Sequence, residues 1–482
     1  MGVMLVPCGA WWCSPLRGRF TRELPLAVEG PGGPAPETPL ATYAIIAINV
    51  LVYLVTSAPT GFWQTTDEWV SRLGFVPAAL LATPPSEFPR ILTAMFTHAN
   101  LIHIFFNMYF LYLFGRAVEK TLGHWRYLAL YLVSGIVAAV FHTVFMYVVN
   151  PAGLAIPSVG ASGAISGVLG AYMLLYPGTR LTACFFLGFI PFCFALPAVY
   201  YLLFWFAMQV YMGYTLAASA VAFFAHAGGF VSGMAILPLV ASRTRILLLR
   251  MQAATRSLFG LIVFYSPFFY RGRELNPLVK SVLAMLILML LAGSAYAIVD
   301  ARTEDSYVAS YQVRAKLKLG DEAYSLVDSF FIRIYGGKGT LMLKATLTSY
   351  GTAIAEILAR NNLVYNPSLA NQELVLDKGL IGIDIRQILG YNIVSVSIQP
   401  KHFHGVYNKD GYLEKGELYA SLAYRRLIGS MIIGELAATI GLAGAGAVGP
   451  AILALAIASL AMLATSLYTV LFLDRELVIT PE

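Results

Sequence analysis

A small set of polar residues interrupts long apolar runs in a way that suits acyl-transfer chemistry. Ser162 lies in Gly160-Ala161-Ser162-Gly163, and His226 lies in Ala225-His226-Ala227-Gly228-Gly229, with Gly233 following at helical spacing. His98, His103 and Asn107 fall within one further apolar stretch. A serine nucleophile needs a base within hydrogen-bond reach and donors aimed at the developing oxyanion. Ser162 opens a helical stretch, where backbone N–H groups and the helix dipole favour negative charge. His103 and Asn107, four residues apart, share one helical face about 6 Å apart and supply candidate donors.

Each residue taken singly has a plainer reading. A lone membrane histidine is more often hydrogen-bonded glue between helices than a catalyst. Ser162, Gly163, Ser166, Gly167 and Gly170 also form the small-residue pattern of tight helix packing. His103 and Asn107 can simply bridge helices. The combination is more demanding, because nucleophile, base and the pair of donors fall on three separate segments at one depth.

The elements that must position these residues are membrane spans. The chain is 58% hydrophobic and only 12% charged, against about 25% charged in soluble domains. Spans are expected near 41–57, 94–115, 126–148, 162–176, 198–214, 222–240, 281–299, 428–446 and 449–473, each near the roughly 20 apolar residues that cross a bilayer. The stretch 181–197, with Pro191 and Pro197, reads as an interfacial connection. Segments 1–40, 116–126, 177–197 and 241–280 hold fourteen Lys/Arg, against two (Arg72 and Arg90) in 58–93, 149–161 and 215–221. This bias places the N-terminus in the cytoplasm and the chain in the cell membrane. All the candidate residues then lie toward the outer ends of their spans.

The net charge of +7 does not indicate nucleic acid. Arg243, Arg245, Arg250, Arg256, Arg271, Arg273 and Lys280 cluster between two spans, as in a cytoplasmic membrane flank. The Pro/Gly-rich stretch from Glu29 to Pro39 reads as a linker. Cys8 and Cys13 have no second ligand pair and read as idle thiols, and Cys184 and Cys193 as packing residues. The expected organisation is an N-terminal cytoplasmic segment 1–40, a six-helix core 41–241, a basic loop 242–280, a seventh span 281–299, an extracytoplasmic α+β domain 301–427 and a closing helical hairpin 428–473. In the α+β domain, Gly339–Leu347 and Ile393–Ile398 read as strands and Thr352–Arg360 as a helix. Asn408, Asp410, Gly411 and Glu417 partly fit a calcium loop, but Val406 stands at its first position, so a hairpin turn on Lys409-Asp410-Gly411 is preferred. His402 and His404 fit an exposed strand as well as a metal. No metal or cofactor is assigned, and the domain's partner is not legible.

These motifs resemble the rhomboid family. Arg90, Phe96-Thr97-His98-Ala99 with His103-x-x-x-Asn107, Gly160-Ala161-Ser162-Gly163 and Ala225-His226-Ala227-Gly228-Gly229 match its pieces in order and placement, over about 41–241. The resemblance implies a six-helix core over 41–241; with about three further spans and the small α+β extramembrane domain read above from the sequence, the expected fold is an all-α polytopic membrane protein. The resemblance also implies a serine endopeptidase cutting transmembrane proteins within the lipid bilayer by a Ser162–His226 dyad. His103, Asn107, Gly160 and Ala161 would form the oxyanion and substrate-binding set, with His98 and Arg90 in support. Lateral access is implied beside 197–213, under a movable loop at 214–222. Two departures stand out. Ser166 replaces an aromatic that stacks on the histidine in some members, leaving Phe223 or Phe224 to hold that ring, and Pro89 replaces a tryptophan before Arg90. An inactive relative that escorts membrane clients is the alternative, disfavoured because serine, histidine and donors are all present. A transporter would show paired repeats, which are not evident.

Overall fold

In lipid a backbone has no hydrogen-bond partner except itself, so long apolar runs fold as helices. A computed structural model describes residues 38–187, 190–216, 221–255, 274–319, 322–342, 349–389, 392–426 and 432–479. Cys8, Cys13, nearly all of the N-terminal segment, Arg256, Arg271, Arg273 and the centre of the expected 214–222 loop lie outside these residues. Six helical segments among them are long and apolar enough to cross a membrane: Leu40–Thr60, Leu101–Leu122, His124–Val149, Phe223–Val240, Pro277–Thr303 and Val448–Leu477. The protein is a multi-pass membrane protein.

The first segment is α1 (Leu40–Ser57). A connection built of α2 (Asp67–Leu73), α3 (Pro77–Ala82) and α4 (Pro84–Ala94) leads to α5 (Leu101–Phe110), which continues through a π turn into α6 (Arg116–Leu122). Then come α7 (His124–Val149) and α8 (Ser162–Leu175). With 14 residues, α8 is about 21 Å long, shorter than the roughly 30 Å hydrocarbon core. Its first residue can therefore lie within the bundle, and every residue after Ser162 is buried. The stretch read as an interfacial connection forms an antiparallel hairpin, β1 (Arg180–Leu187) and β2 (Ile190–Pro197). It leads into α9 (Ala198–Thr215), α10 (Phe223–Val240), α11 (Arg243–Thr255) and α12 (Pro277–Thr303).

The expectation of an all-α protein with a small appended domain is corrected by a large antiparallel sheet. Its strands are β3 (Tyr307–Leu319), β4 (Glu322–Tyr335), β5 (Lys338–Met342), β6 (Glu373–Leu376), β7 (Ile383–Leu389), β8 (Asn392–Tyr407), β9 (Leu413–Arg426) and β10 (Ile432–Ala447). They run in the order β5-β4-β3-β10-β9-β8-β6, with β7 also pairing β8. The helix α13 (Ser349–Arg360) buries Ala353, Ile354, Ile357 and Leu358 in the sheet's core. Within the segment 428–446, expected as a span, the described residues from Ile432 on are therefore strand β10, and the closing hairpin of two spans is replaced by one helical segment beginning at α14 (Val448–Tyr468). The cause is periodicity. Leu436, Ala438 and Ile440 are buried while Glu435 and Thr439 are exposed, a period of two that a window average of hydropathy conceals. The turn at Lys409-Asp410-Gly411 joins β8 to β9, with Asn408 Oδ1 accepting from the Asp410 and Tyr412 amides at 3.0 Å each. His402 pairs with Asp377 and His404 with Glu373, so the two histidines do not converge on one ligand.

The sheet sits on the bundle beside the connection α2–α4. A Cβ on Gly446 would overlap the Leu81 carbonyl oxygen of α3, so strand and helix backbones touch. At the end of α12, Glu304 accepts from Arg333 of β4 at 2.9 Å and from the Tyr147 hydroxyl of α7 at 3.1 Å. The same connection reaches the segment before Ser162, where Phe75 and Ser158 exchange two backbone hydrogen bonds of 3.0 and 2.7 Å.

Candidate active site

Ser162 and His226 come together because α8 and α10 pack backbone against backbone. A Cβ on Gly229 would overlap the Gly163 carbonyl, and one on Gly233 would overlap that of Gly167. This approach sets Ser162 Oγ 2.8 Å from His226 Nε2. The other ring nitrogen, Nδ1, lies 2.8 Å from Gln209 Oε1 on α9. The indole of Trp205, one turn earlier on α9, lies beside the imidazole with ring centroids 6.0 Å apart and planes tilted by 31°. The expectation that Phe223 or Phe224 holds this ring is thus corrected. Phe224 instead stacks on Phe145 at 4.6 Å and meets Tyr214 at 5.1 Å. Ser166, at the position of the missing aromatic, donates its hydroxyl to the Ser162 carbonyl at 2.6 Å.

The candidate donors surround the serine. Asn100 caps α5 by accepting the His103 amide at 2.9 Å. The Ala99 amide lies 3.4 Å from His103 Nδ1. A backbone N–H only donates, so Nδ1 is the acceptor and the neutral ring carries its proton on Nε2. Gly160 has φ +125°, a conformation L side chains rarely adopt, and a Cβ there would lie 2.8 Å from His103 Nε2 and 3.7 Å from Ser162 Oγ. His103 Nε2 and Ser162 Oγ therefore flank one point beside Gly160. Asn107 spends one N–H on the His103 carbonyl at 2.9 Å, and its amide group has a second to offer. The Ser162 amide is among the first four of α8, which have no partner within the helix. Ala161 is fully buried ahead of it.

The supporting residues take structural positions. His98 is fully buried, with its ring 5.1 Å from that of His103. Its carbonyl accepts from Thr65 Oγ1 at 2.6 Å. Arg90 ties the connection together, donating to the Ser71 carbonyl at 2.6 Å and to Glu87 at 3.2 Å.

Ser162, His226, His103, Asn107 and Gly160 open onto a cavity of about 700 Å³ that also reaches Met95, His142 and Phe223. Among the described residues lining it, Asp67 is the only carboxylate. The arrangement sets a serine hydroxyl, an imidazole and three N–H donors around a low-charge chamber, a set that suits acyl transfer. Gln209, Trp205 and His142 were missed from sequence, although the rule that polar residues in spans mark function would have flagged Gln209 and His142.

Comparison with known proteins agrees with the motif resemblance. Residues 85–243 match the Rhomboid domain family. The chain is similar to the rhomboid protease GluP of Bacillus subtilis (strain 168), 36% identical over 138 residues, or 29% of this chain and 24% of the relative. It is also similar to the putative rhomboid protease YdcA of that organism, 32% identical over 140 residues covering 28% and 62% of the two chains. Rhomboid protein 1, mitochondrial, of Saccharomyces cerevisiae is 32% identical over 143 residues, covering 29% and 37%. The chain thus spans about a quarter, three-fifths and over a third of these relatives, and the domain match ends before α12 and the sheet.

Proposed function

From the premise that the chain is a rhomboid-family membrane protein, we propose that it is an intramembrane serine endopeptidase that cleaves transmembrane segments of other proteins. The 2.8 Å contact between Ser162 Oγ and His226 Nε2, beside a cavity with converging donors, carries this reading.

In the proposed reaction Ser162 Oγ attacks the scissile carbonyl while His226 Nε2 takes the hydroxyl proton. The oxyanion forms beside Gly160, where it meets the Ser162 amide, His103 Nε2–H and Asn107 Nδ2–H. Such preorganised donors are each worth about 10²–10³ in rate. As the tetrahedral intermediate collapses, His226 returns the proton to the leaving amine. Water then repeats the sequence on the acyl-enzyme and frees Ser162. The chamber's low charge suits a site among spans, where a buried ion is costly.

The excess of Lys/Arg in segments 1–40, 116–126, 177–197 and 241–280 supports a cell-membrane protein with a cytoplasmic N-terminus. Ser162 and the sheet would then face the outer side, with substrate entering laterally beside α9.

The test compares wild type, Ser162→Ala and His226→Ala in liposomes carrying a labelled transmembrane substrate with small, helix-destabilising residues, the products being read by mass spectrometry. Cleavage by wild type alone supports the reading. Equal cleavage by all three places the activity elsewhere. Three folded, substrate-binding and inert proteins would favour the escort alternative.

A further inference from the structure

The nucleophile and base are accounted for on α8 and α10, yet the group that orients the base comes from α9. Gln209 is buried, with 7% of its surface exposed. Its Nε2 lies 3.4 Å from the Trp205 carbonyl, and its Oε1 lies 2.8 Å from His226 Nδ1. A carbonyl can only accept, so the amide must turn its NH₂ toward Trp205 and its oxygen toward His226. That oxygen also only accepts, so the proton of the neutral imidazole sits on Nδ1. The lone pair is left on Nε2, facing Ser162 Oγ at 2.8 Å. The opposite tautomer would set two lone pairs face to face in a buried site and turn an N–H toward the nucleophile.

On the protease reading given above, we infer that Gln209 is a positioning residue for the base, so that the working unit is Ser162–His226–Gln209 rather than a dyad. During attack the proton leaves Ser162 Oγ for His226 Nε2, and the Nδ1–H stays on the ring, donated to Gln209 Oε1 throughout. No proton reaches the amide. A neutral acceptor fixes the tautomer as a carboxylate would without burying a further charge among the spans. The Trp205 ring also neighbours the imidazole, with centroids 6.0 Å apart. Both residues stand one turn apart on α9, so a displacement of that helix removes them together and disarms the base.

The experiment uses the full chain in detergent, with Gln209→Leu to remove the acceptor and Gln209→Glu to keep one. Gln209→Leu is expected to lower kcat by about 10–100-fold, or about 1.4–2.7 kcal/mol of orientation at 1.36 kcal/mol per decade. KM should stay within about twofold, and Gln209→Glu should recover most of the loss. The ¹⁵N imidazole spectrum, with the His226 signals identified by their absence in His226→Ala, gives a readout independent of turnover. Wild type should show a protonated Nδ1 and an unprotonated Nε2, and Gln209→Leu a mixed or reversed pattern. Wild-type kcat in Gln209→Leu, equal losses in both variants, or an unchanged tautomer in Gln209→Leu would each overturn the inference. An inert wild type defeats the protease reading instead, and the spectrum alone then decides whether Gln209 sets the tautomer.

Discussion

Gly233 lies so close to Gly167 that a Cβ on Gly233 would overlap the Gly167 carbonyl oxygen. The obstacle is backbone, which cannot swing aside like a side chain. Gly233→Ala should therefore part α10 from α8, at a cost of about 1–3 kcal/mol for overpacking. The Ser162–His226 contact should open with it, and a misplacement of about 1 Å is enough for roughly a 10²-fold loss of rate. Scanning fluorimetry and substrate cleavage measure the two effects, and a variant equal to wild type in both would contradict this account of the packing.

Gly160→Ala should separate activity from stability. The position combines φ +125° with a Cβ that would press on His103 at 2.8 Å. Strain of this kind costs about 1–3 kcal/mol, and its relief would push the imidazole off the oxyanion position. The variant is expected to fold and insert, with a melting midpoint a few degrees lower, while kcat falls at least tenfold. Full activity would show that His103 need not sit there.

Asn107→Ala and His103→Ala should each lower kcat by about 10²–10³ with little change in KM, because an oxyanion donor acts mainly in the transition state. Steady-state kinetics on one substrate checks this. A rise in KM at constant kcat would instead assign these side chains to ground-state binding.

Acid should loosen the seat of the sheet. Burial opposes ionisation of Glu304, but hydrogen bonds from Ser306 and Arg333, the Arg333 charge and the Tyr147 hydroxyl outweigh it and hold the carboxyl below its ordinary value of 4.5. A carboxylate depressed in the folded state contributes its stability in full above the unfolded value and loses it as pH falls through the folded one. Glu304→Gln should therefore melt below wild type at pH 6–7, by on the order of 1 kcal/mol for a partly exposed pair. The gap should close as pH falls from above 4.5 through the lowered folded value. A gap independent of pH would mean that the charge of Glu304 is not what holds the junction.

The candidate site residues were legible because each belongs to a short run of distinctive neighbours: Ser162 and His226 among glycines, His103 and Asn107 one turn apart. Gln209 was legible only as a lone polar residue in an apolar helix; its meeting with His226 arises through packing of α9 on α10 and has no sequence signal. Trp205 was hidden for the same reason, which is why Phe223 and Phe224, nearer in sequence, drew the expectation. The helices of the bundle announced themselves by length and apolarity. Strand β10 did not, because its alanines, glycines and leucines read as a span until the alternation about Glu435 is taken into account.

The pairing of β3 with β10 has a consequence for biogenesis. Tyr307 and Ala447 are register partners separated by 140 positions, so one edge of β3 has no mate until β10 has been translated. At about 5–20 residues per second that interval is roughly 7–28 s. The helices that carry Ser162, Gln209 and His226 are complete by Val240, before β3 is made. A ribosome-bound chain thus carries the complete set of helices that brings Ser162 to His226 while a bare strand edge, open to pairing with foreign strands, awaits its last neighbour.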